Sequence, residues 1–209
     1  MIAETIGSNH HPTLIRARWN TSSFSPRKVD VGKLLRLLEA ARWTASYANE
    51  QPWSFVVVSK DDALAFEQLL SCLGDSSIAR ARRAPVMILS VVKLNFETGG
   101  RRNPYAFHDA GKAVSNLTHK ASAMGLLVHQ MSGFDALRAR RLFEIPSGYT
   151  PVTVIAIGYP NVDGQSSDQA PEGTSPTRQP LESLVFTGRW GATSHVLKGA
   201  LPDRCDDRA

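Results

Sequence analysis

Two cysteines in 209 residues, Cys72 and Cys205, are too few and too far apart for a disulfide framework, and neither forms a CxxC metal knuckle. No stretch reaches the roughly 18 consecutive apolar residues of a membrane span. Met1–Pro12 has no basic segment leading into an apolar one, so no secretory leader is expected and the cytoplasm is the expected compartment. GxGxxG, the GxxxxGK phosphate loop, HExxH and GxSxG are all missing. Their absence removes the ordinary dinucleotide fingerprint, the triphosphate loop, the zinc-protease helix and the serine nucleophile elbow. The six histidines are scattered; His108 adjoins Asp109 on a helical stretch, where successive side chains point about 100° apart and do not share a metal. No metal site is expected.

What remains is a globular chain. Hydrophobic residues make up 42% of it, enough for a sizeable core, and the net charge of +5 favours anionic partners. Two RARR runs, at Arg80–Arg83 and Arg138–Arg141, lack interleaved aromatics, so they read as solvated helix faces and no nucleic acid is expected. Apolar spacing predicts a helix from an Asp30 cap through Trp43 and a strand over Phe55–Lys60. A helix over Asp61–Leu73 and a buried strand over Pro85–Lys93 follow. A long helix over Asn103–Leu126 carries Ala106, Ala110, Gly111, Ala113, Ser115 and Ala121, small enough for close packing on another helix. A strand at Leu126–Met131, a helix at Ala136–Phe143 with Asp135 as its cap and a strand at Pro151–Gly158 complete the regular part. Val162–Thr177 reads as loop, Pro180–Phe186 as a short helix and the tail from Ser194 as loose. This order predicts an α+β sandwich with a mixed or antiparallel central sheet flanked by helices. The expected division is a flexible segment over 1–13, one domain over 14–190 and a tail over 191–209.

Five blocks carry more than packing. They are LLEAARWTASYANEQPWSFVVV (Leu37–Val58), HDAGKAVSNL (His108–Leu117), HQMSGFD (His129–Asp135), VTVIAIGYP and TRQPLESLVF. In this order the chain resembles the nitroreductase-like flavoproteins over about Leu14 to Trp190. The resemblance implies an FMN-dependent oxidoreductase of α+β fold. It also implies an intertwined homodimer, with the long helix at the interface and a flavin at each end of it.

The resemblance also assigns residues. Arg18, Trp19 and Asn20 match the family's Arg-x-Ser phosphate grip, with Asn20 in place of the hydroxyl; Ser22 and Pro176 stand where basic residues are usual. Arg178 matches a late phosphate arginine. Ser46, Tyr47, Asn49 and Gln51, with Ala48 lining the substrate side, match a segment that crosses from one subunit to the other's flavin. Two amides there offer donors and acceptors to a ring edge or a ribityl chain. Ser77 and Arg80 match residues near flavin N1 and O2, where a cation stabilises the reduced anion. Gln130, Met131, Ser132 and Gly133 match the backbone passing N5, and Gly133, without a Cβ, allows close approach to a flat ring. Tyr105 and Phe107 are candidates for the open face.

The implied reaction is ping-pong hydride transfer from NAD(P)H through FMN to a nitroaromatic, quinone or activated alkene, with no side chain acting as nucleophile. Four alternatives stay open at this level: a flavin binder without turnover, a relative spending flavin on dehalogenation or flavin fragmentation, a basic nucleic-acid module, and a scaffold that has lost FMN.

Overall fold

In the computed structural model, residues 24–161 and 178–197 are described. They fall into two separate compact units. The larger is built on a four-stranded sheet: β1 (Trp53–Ser59), β2 (Val86–Lys93), β3 (Leu127–Met131) and β4 (Tyr149–Gly158), in the order β1-β2-β4-β3. All three pairings are antiparallel, which selects the antiparallel of the two expected arrangements. Central β2 reads VMILSVVK and is buried along almost its whole length. Edge strand β1 is largely half-exposed, although its run Phe55-Val56-Val57-Val58 is wholly apolar. It also starts earlier, at Trp53.

Helices cover both faces. On one side lie α1 (Val31–Arg42) and α4 (Ala106–Ala123). Leu37 and Ala41 of α1 meet Ala113, Val114, Leu117 and Ala121 of α4 over Ile88, Val128, Ile155 and Ile157. Of the small residues of α4, Ala113 and Ala121 pack in this layer, whereas Ala106 and Ala110 pack with Val92 and Gly111 is exposed. On the other side lie α2 (Ala63–Leu70), α3 (Asp75–Ala81) and α5 (Ala136–Leu142). Phe66, Leu69 and Leu70 pack there against Met87, Leu89 and Met131.

Several boundaries differ from expectation for local reasons. The Asp30 carboxylate makes no capping bond and stays in solvent, whereas Asp62 and Asp135 accept from the amides of Ala65 and Arg138 at 3.0 and 2.8 Å. The helix expected over 61–73 is shorter, Ala63–Leu70: after Leu70 the chain turns so that Leu73 bridges Phe134, and a further helix that was not expected, α3, opens after Gly74. Helix α4 ends in a Schellman turn, with Gly125 at φ +70° and the Leu126 amide on the Ala121 carbonyl.

Arg140, inside the second RARR run, is not a solvated face residue. Its guanidinium donates to the carbonyls of Ile145 at 3.2 Å, Pro146 at 2.7 Å and Tyr149, closing the turn from α5 into β4. Arg140→Met should therefore cost about 2 kcal/mol, because three carbonyls lose a charged donor. Equilibrium urea unfolding checks this, with Arg138→Met, at an exposed position, as the comparison.

In the smaller unit, the helix expected over Pro180–Phe186 is one 3-10 turn, Leu181–Ser183. Ser194 is buried and hydrogen-bonded to Thr187 at 2.7 Å beside a Phe186–Thr193 bridge, so the tail is not loose at its start.

Candidate functional site

An open groove of about 280 Å³ lies between α4 and the sheet, lined by Phe107, Ala110, Gly111, Val114 and Ser115 above and by Ser90, Gln130, Ser132, Val152 and Thr153 below. Its floor is shaped by an irregularity in the β2–β4 register, where Ser90 faces Thr153 but Val91 faces Pro151. A proline is tolerated in a central strand at such a bulge. The Thr153 hydroxyl donates to the Met131 carbonyl at 2.9 Å, and the Thr153 amide donates to the Ser90 hydroxyl at 3.2 Å. Sequence reasoning passed over Ser90 and Thr153; a lone hydroxyl inside each of two otherwise apolar strands was the available signal. The Gln130 amide donates to the Thr118 hydroxyl at 3.1 Å, which fixes its side chain against α4.

At the end of β3, Ser132 and Gly133 are exposed, and a Cβ built on Gly133 meets nothing within 4 Å. The backbone there borders open space that a flat ring can fill. Met131 is different: its side chain is core, leaving only main-chain atoms for a ligand. The Leu73–Phe134 bridge and the Asp135 amide on the Cys72 carbonyl at 2.8 Å set the start of α3 beside this turn. Helix α3 carries Ser77, half-buried, and Arg80, exposed. Arg80 is close enough to buried His129 for its charge to act there. Side chains alternate along a strand, so His129 faces α3 while Gln130 faces the groove. The ring-electronics candidates and the groove thus meet only around the edge of β3.

The other predicted cluster lies at the opposite edge. The segment leading into β1 turns tightly: Ala48, Asn49 and Gln51 have φ of +49°, +57° and +47°. Three left-handed non-glycine residues in four positions are unfavourable by about 1 kcal/mol or more each, and such strain is usually found at functional loops. Internal bonds define the turn. The Gln51 amide donates to the Ser46 hydroxyl at 2.9 Å, and the Gln51 side chain donates to the Asn49 carbonyl at 3.1 Å. Tyr47, Ala48 and Asn49 are exposed. The Tyr47 ring stacks on Tyr105, with centroids 4.5 Å apart.

Asp109, which sequence reasoning noted only for its proximity to His108, proves to be a buried carboxylate one turn into α4. It accepts from the Tyr47 amide at 2.8 Å, Lys112 lies at 2.9 Å and the His108 ring at 3.2 Å. Burial by itself would raise its pKa; the Tyr47 amide, Lys112 and His108 outweigh that and hold the carboxyl below its ordinary value. His129 is held below its ordinary value of 6.5 by burial first and by Arg80 second. Among the described residues, no group of acidic, histidine or cysteine side chains is arranged to hold a metal.

Both shifts have the same consequence. As pH falls through 6.5, an unfolded histidine takes up a proton that buried His129 resists, so the unfolded state binds more protons and stability declines. Below 3.8 the unfolded Asp109 carboxyl also protonates while the folded one resists, and its contribution is lost as pH falls through the folded value. Urea midpoints should drop between about pH 7.5 and pH 5, and His129→Gln should flatten that decline.

Of the predicted residues, Gln130, Ser132 and Phe107 share the groove, and Ser46 to Gln51 with Tyr105 form the loop cluster. Three strand spacings, about 14 Å, separate the two edges of the sheet within one chain. Arg18, Trp19 and Asn20 lie outside the described residues. Arg178 belongs to the smaller unit.

An antiparallel α+β sandwich with a groove beneath α4 and a strained loop docked on the same helix defines the class of protein, and comparison with known proteins gives the family. The nitroreductase family profile matches residues 15–159. The chain belongs to the nitroreductase family. Its sequence is 39% identical over 89 residues to an uncharacterized 15.4 kDa protein of Mycolicibacterium smegmatis, covering 42% of this chain and 60% of that protein. It is 24% identical over 191 residues to the major NAD(P)H-flavin oxidoreductase of Aliivibrio fischeri, covering 71% and 88%. Among solved structures, an oxidoreductase containing FMN superposes with a TM-score of 0.79 at 26% identity, over 89% of this chain and 96% of the other. A nitroreductase family protein of Streptococcus pneumoniae, at 21% identity and a TM-score of 0.66 over 82% and 96%, shares the fold.

Proposed function

We propose that this chain is a flavin-dependent oxidoreductase that binds FMN between two copies of itself and passes electrons from NAD(P)H to an electron-poor acceptor such as a nitroaromatic, a quinone or an activated alkene. The observation that carries the proposal is the division of the site. The Ser132–Gly133 turn ends edge strand β3 and the groove reaches from it across β4 and β2, whereas the strained Ser46–Gln51 loop enters the opposite edge strand, β1, and docks on the start of α4. A groove of about 280 Å³ is at the small end for a ligand site, which ordinarily measures roughly 300–1,000 Å³. A second copy bringing its loop to this groove completes a site of ordinary size.

The residues present suit a flavin. Gly133 leaves space for a ring, and Gln130 and Ser132 can hydrogen-bond neutral heteroatoms. Arg80 supplies positive charge near the edge of β3, and Arg18 and Arg178 are the candidates for the phosphate, where guanidinium forks suit a dianion. When bound, FMN would supply the redox chemistry, hydride transfer between the nicotinamide and the acceptor. The protein's part is to orient the two reactants in turn, to exclude water with Tyr47, Tyr105 and Phe107, and to stabilise negative charge with Arg80. Residues 14–190 are proposed to form this functional domain.

The test is direct. Protein reconstituted with FMN should be yellow, dimeric and bleached by NADH or NADPH without oxygen, and colour should return with a quinone. A protein that remains a monomer, or that ignores added FMN, overturns the proposal. Binding without bleaching by either nicotinamide would leave a flavin binder without turnover and remove the reductase reading.

A further inference from the structure

We propose that Asp109 is a latch that holds the Ser46–Gln51 loop in its ligand-presenting shape, and so acts as a positioning residue for the site. The inference rests on the proposed flavin site for its functional consequence but not for its geometry. Three observations carry it. The loop is strained at Ala48, Asn49 and Gln51, so it relaxes unless neighbouring structure holds it. Its bonds from Asn49 to Ser46, from Glu50 to Tyr47 and from Gln51 to Ser46 are all internal and fix its shape without fixing its place. Asp109 is only 1% exposed, yet it spends one carboxylate oxygen on the Tyr47 main-chain amide at 2.8 Å.

The same helix end receives the Tyr47 side chain. Tyr105 lies one turn before Asp109, and its ring stacks on Tyr47 at 4.5 Å. Backbone and ring of one loop residue are therefore both docked on the first turn of α4. The Thr44 hydroxyl accepts from Asn116 at 2.7 Å before the loop, and Glu50 accepts from the Glu97 amide at 2.9 Å after its midpoint. Asp109 is the buried, charged member of this set, and a bond from a carboxylate to an amide is about twice as strong as a neutral one. Its place near the N-terminus of α4 favours the negative charge, and Lys112 on its other oxygen keeps it ionised and oriented.

Native-state amide exchange and flavin titration, made on the same proteins, test the latch. In the wild type, the Tyr47 amide should exchange at least roughly tenfold more slowly than that of exposed Ala48. Asp109→Ala should erase this protection and weaken FMN binding by about tenfold or more, read by quenching of flavin fluorescence. Asp109→Asn keeps an oxygen in place and should recover most of both. His108→Gln removes only the outer 3.2 Å contact and should behave as wild type.

An unprotected Tyr47 amide in the wild type, or equal protection in Asp109→Ala, overturns the latch. Accelerated exchange with FMN affinity unchanged within about twofold overturns the positioning role. If Asp109→Ala does not fold, the wild-type exchange ratio and the Asp109→Asn pair still decide. Wild-type protein that shows no FMN binding while Tyr47 is protected through Asp109 refutes the flavin site and leaves the latch standing.

Discussion

The Gly111→Glu variant is expected to fold as a subunit, to sediment as a monomer near 22.8 kDa and to lose most of its FMN. Gly111 lies on the exposed surface of α4 at the rim of the groove, and a Cβ there meets nothing within 4 Å. Inside one chain, glutamate should help the helix by close to 1 kcal/mol, since glycine in a helix interior is unfavourable by about that amount. Among the described residues nothing opposes the change. Against a second copy, an added carboxylate would be buried without a partner, which costs several kcal/mol per ion and twice that across the single interface of a symmetric dimer. Analytical ultracentrifugation with far-ultraviolet circular dichroism and flavin fluorescence separates these effects. A dimer with wild-type flavin affinity would place the interface elsewhere and remove the two-copy site.

Gly158→Val should have the largest effect on the subunit itself, about 3 kcal/mol, at the upper end for overpacking. A Cβ at Gly158 would come within 2.7 Å of Cδ of Pro85 and 2.9 Å of Cδ1 of Phe24. Phe24 can rotate, but the Pro85 ring is fixed to the chain just before β2. Gly158→Ala should give an intermediate loss. Phe24 bridges Pro160, and the Ser25 amide donates to the Tyr159 carbonyl at 2.9 Å, so the same contact anchors the chain just after Arg18–Asn20. Weaker FMN retention should therefore accompany the lost stability. An unfolding free energy from urea titration within about 0.5 kcal/mol of wild type would contradict the contact.

The legible part of this protein was the part governed by local chemistry. The apolar run Val86–Val92, the three-and-four spacing from Ala106 to Ala121 and the Asp135 cap all set their elements directly. Gly133 was expected, from the resemblance, at a close-approach position, and a Cβ there would meet nothing within 4 Å. Misreadings arose where a local preference met a distant partner. Helix α3 was hidden because DSSIARA has little apolar pattern, and a bridge from Leu73 to Phe134 breaks the preceding helix. Arg140 looked like a solvated charge because the carbonyls it holds come from a turn whose path is not written in the RARR run.

By itself the sequence determined the α+β class, most of the strands and helices along the chain and the family to which it belongs. These follow from hydrophobic period, capping and short motifs, all of which act over a few residues. Tertiary structure alone decided that β1 and β3 become opposite edges, so that the Ser46–Gln51 loop and the Ser132–Gly133 turn lie apart. It alone brought Asp109 beneath Tyr47, 62 positions away in sequence. Antiparallel pairing and burial join residues by space rather than by sequence separation, and one hydrogen bond across that distance leaves no periodic trace.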